Sequence, residues 1–103
     1  MVLETSPETM ILIDEAYHDY VTDPSYRTMI PLAASEKRVI VARTFSKAYG
    51  MAGLRIGYAI GSPDAIRVLS GWNAGSMSLI GIAAATRSIK DSARLRAEAT
   101  RNT

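Results

Sequence analysis

Lys47 sits in a stretch dense with reactive groups, Arg43-Thr44-Phe45-Ser46-Lys47-Ala48-Tyr49-Gly50-Met51-Ala52-Gly53-Leu54-Arg55-Ile56-Gly57, which follows a short apolar run. A second such segment, Ile13-Asp14-Glu15-Ala16-Tyr17, places a carboxylate at the end of another apolar run. A lysine near a second cation, in a partly desolvated loop, is the better amine nucleophile toward a carbonyl. Thr44, Ser46 and Arg55 offer two hydroxyls and a fixed cationic fork, a set suited to a phosphate. Gly50 and Gly53 allow close backbone approach or positive φ. Asp14 supplies an anionic partner for a protonated ring nitrogen.

These groups need elements that bring them together. Met10-Ile11-Leu12-Ile13, ending at Asp14, and Val39-Ile40-Val41-Ala42 are short continuous apolar runs, the pattern of strands buried on both faces. Ile56 to Ile60, bounded by glycines, is a third strand candidate. Residues 1–9 are polar and read as a loop or frayed start, and Thr22-Asp23-Pro24-Ser25 is a turn cluster. A short helix is expected within Tyr26–Ala34, interrupted by Pro31. Ser62-Pro63-Asp64 is a strong helix start, with a capping hydroxyl, a proline suited to the first turn and an acid that complements the dipole. That helix should end near Ser70. A further helix is expected over Ser78–Arg101, with Ile82, Ile89 and Leu95 facing a partner. Strands alternating with helices give an α/β architecture. Ligands in such folds bind outside the carboxyl ends of strands, where Asp14 and Lys47 both fall. Adjacent strands would let the two side chains converge.

An amine for a carbonyl, ligands for a phosphate and a carboxylate for a pyridinium together describe a pyridoxal phosphate site. Asp14-Glu15-Ala16-Tyr17, Thr44-Phe45-Ser46-Lys47-Ala48-Tyr49-Gly50 and Ala52-Gly53-Leu54-Arg55-Ile56-Gly57-Tyr58 resemble the class I/II, fold-type-I pyridoxal-phosphate aminotransferases. The likeness is greatest to the histidinol-phosphate aminotransferase branch, and it covers roughly residues 10–75. It implies a partial large domain of that fold, a mostly parallel sheet with flanking helices, with residues 1–103 as its central fragment. It implies that Lys47 forms the Schiff base and then serves as general base and acid. It further implies that Asp14 pairs with the pyridine nitrogen, Tyr17 hydrogen-bonds the phenolic oxygen, and Ser46 and Arg55 bind the phosphate with Thr44 in support.

Taken singly, these residues have ordinary readings. A lone lysine is a solvated charge, a lone aspartate a cap, a lone arginine a surface ion pair, and Tyr17 a core aromatic with its hydroxyl at the edge. His18, the sole histidine, reads as a loop residue outside the chemistry, and Met29, Met51, Met77 and Trp72 as packing. The 103 residues suit one small domain, with 48% hydrophobic and 21% charged residues. Charge is uneven: residues 1–36 carry Glu4, Glu8, Asp14, Glu15, Asp19, Asp23 and Glu36 against Arg27, and most bases follow. No aromatic-interleaved basic stripe supports nucleic acid binding. No apolar run is long enough to span a bilayer. The absence of cysteine excludes disulfides and Cys-based zinc sites and is compatible with the cytoplasm.

The resemblance leaves three functions open. One is an aminotransferase segment, with histidinol phosphate and 2-oxoglutarate as substrates of the parent enzyme and a homodimer as its assembly. Another is a pyridoxal-phosphate-dependent decarboxylase on the same scaffold, since cofactor handling is shared. The third is a catalytically inactive fragment. The ring-stacking aromatic and the substrate-carboxylate arginine that the family uses have no counterpart in the sequence.

Overall fold

The computed structural model describes residues 2–72 and 75–102. Three strands, β1 (Ile11–Asp14), β2 (Val39–Thr44) and β3 (Gly57–Gly61), form one sheet in the order β1-β2-β3. Five helices accompany them among the described residues: α1 (Val2–Thr5), α2 (Ile30–Ser35), α3 (Pro63–Ser70), α4 (Leu79–Ser88) and α5 (Ser92–Arg101). Short 3₁₀ turns lie at His18–Tyr20 and Ala52–Leu54.

The described part of the sheet is mixed, with one parallel and one antiparallel pairing, within the α/β architecture expected. β1 runs parallel to β2, with Ile13 opposite Val41 and Asp14 opposite Ala42. β3 runs antiparallel to β2, with Arg43 opposite Tyr58 and Thr44 opposite Gly57. The connections explain the difference. The β1–β2 link contains α2 and has the length a parallel crossover needs, whereas the link from Phe45 to Ile56 holds only a 3₁₀ turn and returns the chain antiparallel.

Period-two alternation assigns the faces. Ile11, Ile13, Val39, Val41 and Ile60 share one face and pack with Ala33 of α2, the fully buried Ala33, Val39 and Val41 forming the centre of this cluster. Full burial of a Val or Ile side chain is worth about 1.5–3 kcal/mol. β2 is buried at Val39, Ile40 and Val41, as its apolar run predicts. β1 is not buried on both faces: its residues alternate, and Leu12 is 68% exposed, because β1 is an edge strand covered only on the α2 side. A second cluster joins Phe45, Ile56 and Ala85, with Tyr49, Met51, Leu54 and Tyr58 around it.

Helix boundaries follow local chemistry. Ser62 Oγ accepts the Ala65 N–H bond at 3.3 Å, Pro63 opens α3, and the helix ends at Ser70 as expected. Pro31 does not interrupt α2; it lies in the first turn, where its missing N–H costs nothing. The polar start contains the single turn α1. The expected helix over Ser78–Arg101 is broken into α4 and α5, because the Asp91 carboxylate accepts the Arg94 N–H at 3.1 Å and starts a new helix. Ile82 and Ile89 line a cavity with Phe45 and Ile56 but stay 39% and 51% exposed. α4 instead buries its small residues Gly81 and Ala85, and Gly81 lies so close to Ile56 that a β-carbon there would fall 2.8 Å from it. Among the described residues no helix is long and apolar enough to cross a membrane.

Candidate active site

The parallel β1–β2 pair places the chain after Asp14 beside the chain after Ala42, and the Glu15 N–H continues the ladder to the Ala42 carbonyl at 2.9 Å. Asp14 is exposed, and its Oδ1 accepts the Ala16 N–H at 2.9 Å, an Asx turn that fixes the carboxylate at the strand end. β2 leads directly into the lysine loop. Phe45 is buried in the second core cluster and Ala48 is also buried, while Ser46 is half-buried and Lys47 is exposed. Phe45 therefore anchors the loop from beneath.

Backbone bonds close the loop: Phe45 N–H to Ile56 carbonyl at 3.1 Å, Gly50 N–H to Lys47 carbonyl at 2.8 Å, and Met51 N–H to Phe45 carbonyl at 2.9 Å. The Ser46 N–H donates to Thr44 Oγ1 at 3.0 Å. Gly50 has φ +68°, the left-handed conformation that glycine adopts freely. Arg55 shares that conformation without being glycine, at φ 53° and ψ 47°. Its Nη1 donates to the Ala52 carbonyl at 2.9 Å. Strain of this kind costs about 1–2 kcal/mol.

Asp14, Thr44, Ser46, Lys47 and Arg55 line one cavity of about 300 Å³, together with Ala16, Ala42 and Arg43. Three separate chain segments thus bring a carboxylate, two hydroxyls, an amine and a guanidinium onto a common space. Tyr17 does not line the cavity; its exposed ring lies 5.0 Å from Lys47 Nζ, measured to the centroid. His18 stands outside, with Nδ1 3.1 Å from the Tyr26 hydroxyl.

At the edge of the cavity lies a charged cluster, centred on Glu15 and Arg43, to which the sequence assigned no role. Glu15 is 7% exposed. It accepts hydrogen bonds from Arg43 Nε and Nη2 at 3.1 and 2.8 Å, from Thr28 Oγ1 at 2.8 and 3.0 Å, and from the Met29 N–H at 2.7 Å. Arg43 Nη2 also donates to Thr28 Oγ1 at 3.0 Å. Burial pushes the Glu15 carboxyl up, but the bonds from Met29, Arg43 and Thr28 outweigh it and hold it below the usual carboxylate range. Burial likewise opposes the Arg43 charge, and the bonds to Glu15 and Tyr58 reverse that, raising it above its ordinary value. A signal for this pair existed. Continuing the period-two pattern of the buried faces, Ile11-Ile13 leads to Glu15 and Val39-Val41 leads to Arg43, two opposite charges at the same end of neighbouring strands.

The family profile described as aminotransferase class I and II matches residues 2–102. Over 65 residues the chain is 51% identical to histidinol-phosphate aminotransferase 2 of Bacillus thuringiensis subsp. konkukian (strain 97-27), a match covering 63% of this chain and 18% of that protein. The structure resembles histidinol-phosphate aminotransferase from Sinorhizobium meliloti, solved in complex with pyridoxal-5'-phosphate, with a TM-score of 0.81 and 35% identity over 89% of this chain and 25% of that one. It also resembles L-threonine-O-3-phosphate decarboxylase from Porphyromonas gingivalis, with a TM-score of 0.75 and 25% identity over 92% of this chain and 29% of that one. The chain thus spans between about a fifth and a third of the length of these relatives.

Proposed function

The chain belongs to the class I and II aminotransferases, and from that premise we propose that its cavity is the cofactor-holding part of a pyridoxal-phosphate site, with Lys47 as the anchoring amine. The observation that carries this reading is the convergence of Asp14, Thr44, Ser46, Lys47 and Arg55 on one cavity. The donor set fits the cofactor group by group: an amine for its aldehyde, a carboxylate for its ring nitrogen, and hydroxyls with a guanidinium for its phosphate.

When bound, pyridoxal phosphate supplies an electron sink for the α-carbon of an amino-acid substrate. The chain's own residues hold and poise it. Asp14, fixed by the Ala16 N–H, keeps the proton on the pyridine nitrogen. Tyr17 donates to the phenolic oxygen from its place beside Lys47. Ser46 and Arg55 bind the phosphate, and Thr44, already bonded to the Ser46 N–H, holds that loop in shape. Lys47 carries the proton to and from the substrate α-carbon as general base and acid.

The parent reaction in this proposal moves an amino group between histidinol phosphate and 2-oxoglutarate, in a cytoplasmic homodimer. Support for the substrate comes from the histidinol-phosphate aminotransferases among the relatives. The resemblance to a decarboxylase favours a second reading, in which the same cofactor residues serve loss of carbon dioxide. Product analysis on the longer parent enzyme separates the two: glutamate formation supports transfer, and carbon dioxide release supports decarboxylation. The cofactor reading is tested by titrating the chain with pyridoxal phosphate. A saturable visible absorbance that is lost in Lys47→Ala supports it, and an identical titration in the variant refutes it.

A further inference from the structure

We propose that Glu15 and Arg43 are positioning residues, whose ion pair at the edge of the cavity fixes the distance between Asp14 and the loop that carries Ser46 and Lys47. This inference rests on the cofactor reading above. Glu15 follows Asp14, which lines the cavity, and Arg43 lines the cavity at its edge and precedes Thr44. Strand alternation sends neighbours to opposite faces. Glu15 and Arg43 therefore continue the register of Ile11, Ile13, Val39 and Val41, and Arg43 also reaches the edge of the cavity that Asp14 and Thr44 line.

The pair also ties down a third segment. Thr28 Oγ1 bonds both Glu15 and Arg43, and the Met29 N–H bonds Glu15, so the entry to α2 is held at the same point. The last rung between the strands, Glu15 N–H to the Ala42 carbonyl, lies directly between the two side chains' backbones. Beyond that rung no further β1–β2 pairing constrains the two loops, because Asp14–Ala42 is the last paired position. Arg43 Nε and Nη2 both donate to Glu15 Oε2, while Oε1 accepts from Thr28 and Met29, so the carboxylate is held through both of its oxygens. A site assembled from two diverging loops needs such a clamp, since a misplacement of about 1 Å can cost roughly a hundredfold in a reacting geometry.

The test compares wild type with Glu15→Gln, Arg43→Met, Arg43→Lys and Thr28→Val. Two quantities are read: the dissociation constant for pyridoxal phosphate by absorbance titration, and the share of borohydride-fixed label on Lys47 rather than Lys37 or Lys90. Circular dichroism fixes the folded fraction of each, and both quantities are taken per folded chain. The expected result is a Kd raised about tenfold or more in Glu15→Gln and Arg43→Met, with label spreading to Lys37 and Lys90, and partial recovery of both in Arg43→Lys. Thr28→Val removes a neutral hydroxyl, leaves no charge unpaired, and keeps the test open where the charge variants unfold; a smaller loss in the same direction is expected. Folded variants that keep wild-type affinity and Lys47 preference overturn the positioning role while leaving the cofactor reading intact. A wild-type chain without Lys47 preference overturns both.

Discussion

Lys47 Nζ stands 5.0 Å from the centroid of the Tyr17 ring, so the loops that follow two parallel strands meet at a cation over an aromatic face. This contact links the two motifs across 30 residues of sequence and gives Tyr17 a place beside the cavity it does not line. Tyr17 is exposed, so Tyr17→Phe is expected to leave folding unchanged and to keep the ring beside Lys47. Loss of the hydroxyl should weaken pyridoxal phosphate binding about fivefold, the value of one hydrogen bond of about 1 kcal/mol. Absorbance titration checks this; an unchanged Kd removes Tyr17 from the site.

Arg55 separates stability from ligand binding. Its left-handed backbone is unfavourable for a side chain and free for glycine. Arg55→Gly should keep stability within about 1 kcal/mol of wild type, because relief of strain offsets glycine's greater freedom when unfolded. The same change removes the guanidinium and should weaken binding of pyridoxal phosphate about tenfold or more, as loss of a charge-assisted hydrogen bond does. Binding of pyridoxal, which lacks the phosphate, should change little. Equal losses for both ligands would contradict a phosphate role.

Glu15 sets an acid limit. Its carboxyl is held below the usual range in the folded chain, so near pH 4 the unfolded state binds more protons than the folded one. The stability it contributes is fully present above the unfolded value of about 4.3 and is lost as pH falls through the folded value. Urea midpoints measured between pH 7 and pH 3 should fall more steeply for wild type than for Glu15→Gln. Parallel curves would show that Glu15 does not drive the acid transition.

Gly57 tests the packing of β3 on β2. A β-carbon there would lie 2.8 Å from the Arg43 carbonyl oxygen, a backbone atom that cannot swing aside. Gly57→Ala is expected to destabilise the fold by about 1–3 kcal/mol, the usual cost of overpacking, seen as a lower urea midpoint. An unchanged midpoint would mean that the strands separate there without cost.

The sequence made the strand ends legible because each apolar run stops at a charged group, at Asp14 and at Arg43. Arg55 was legible by residue type, but its left-handed backbone was not, since arginine carries no signal for it. The Glu15–Arg43 contact joins residues 28 apart in sequence and depends on strand register, which a single sequence does not print. The break before α5 depends on Asp91 winning the Arg94 N–H from a continuous helix, a contest between two locally good solutions. The exposed face of β1 has a similar origin: Leu12 looks like core in a run of apolar residues, and only the strand's edge position leaves it uncovered.

Among three lysines, Lys47 is the one proposed to sit in a site built for pyridoxal phosphate. Incubating the chain with the cofactor at low molar excess, reducing with borohydride and mapping the labelled peptides measures this directly. Label is expected on Lys47 in clear preference to Lys37 and Lys90, with the preference lost when inorganic phosphate competes at high concentration. Equal labelling of all three lysines would contradict it, since it would mean ordinary amine chemistry on an exposed surface.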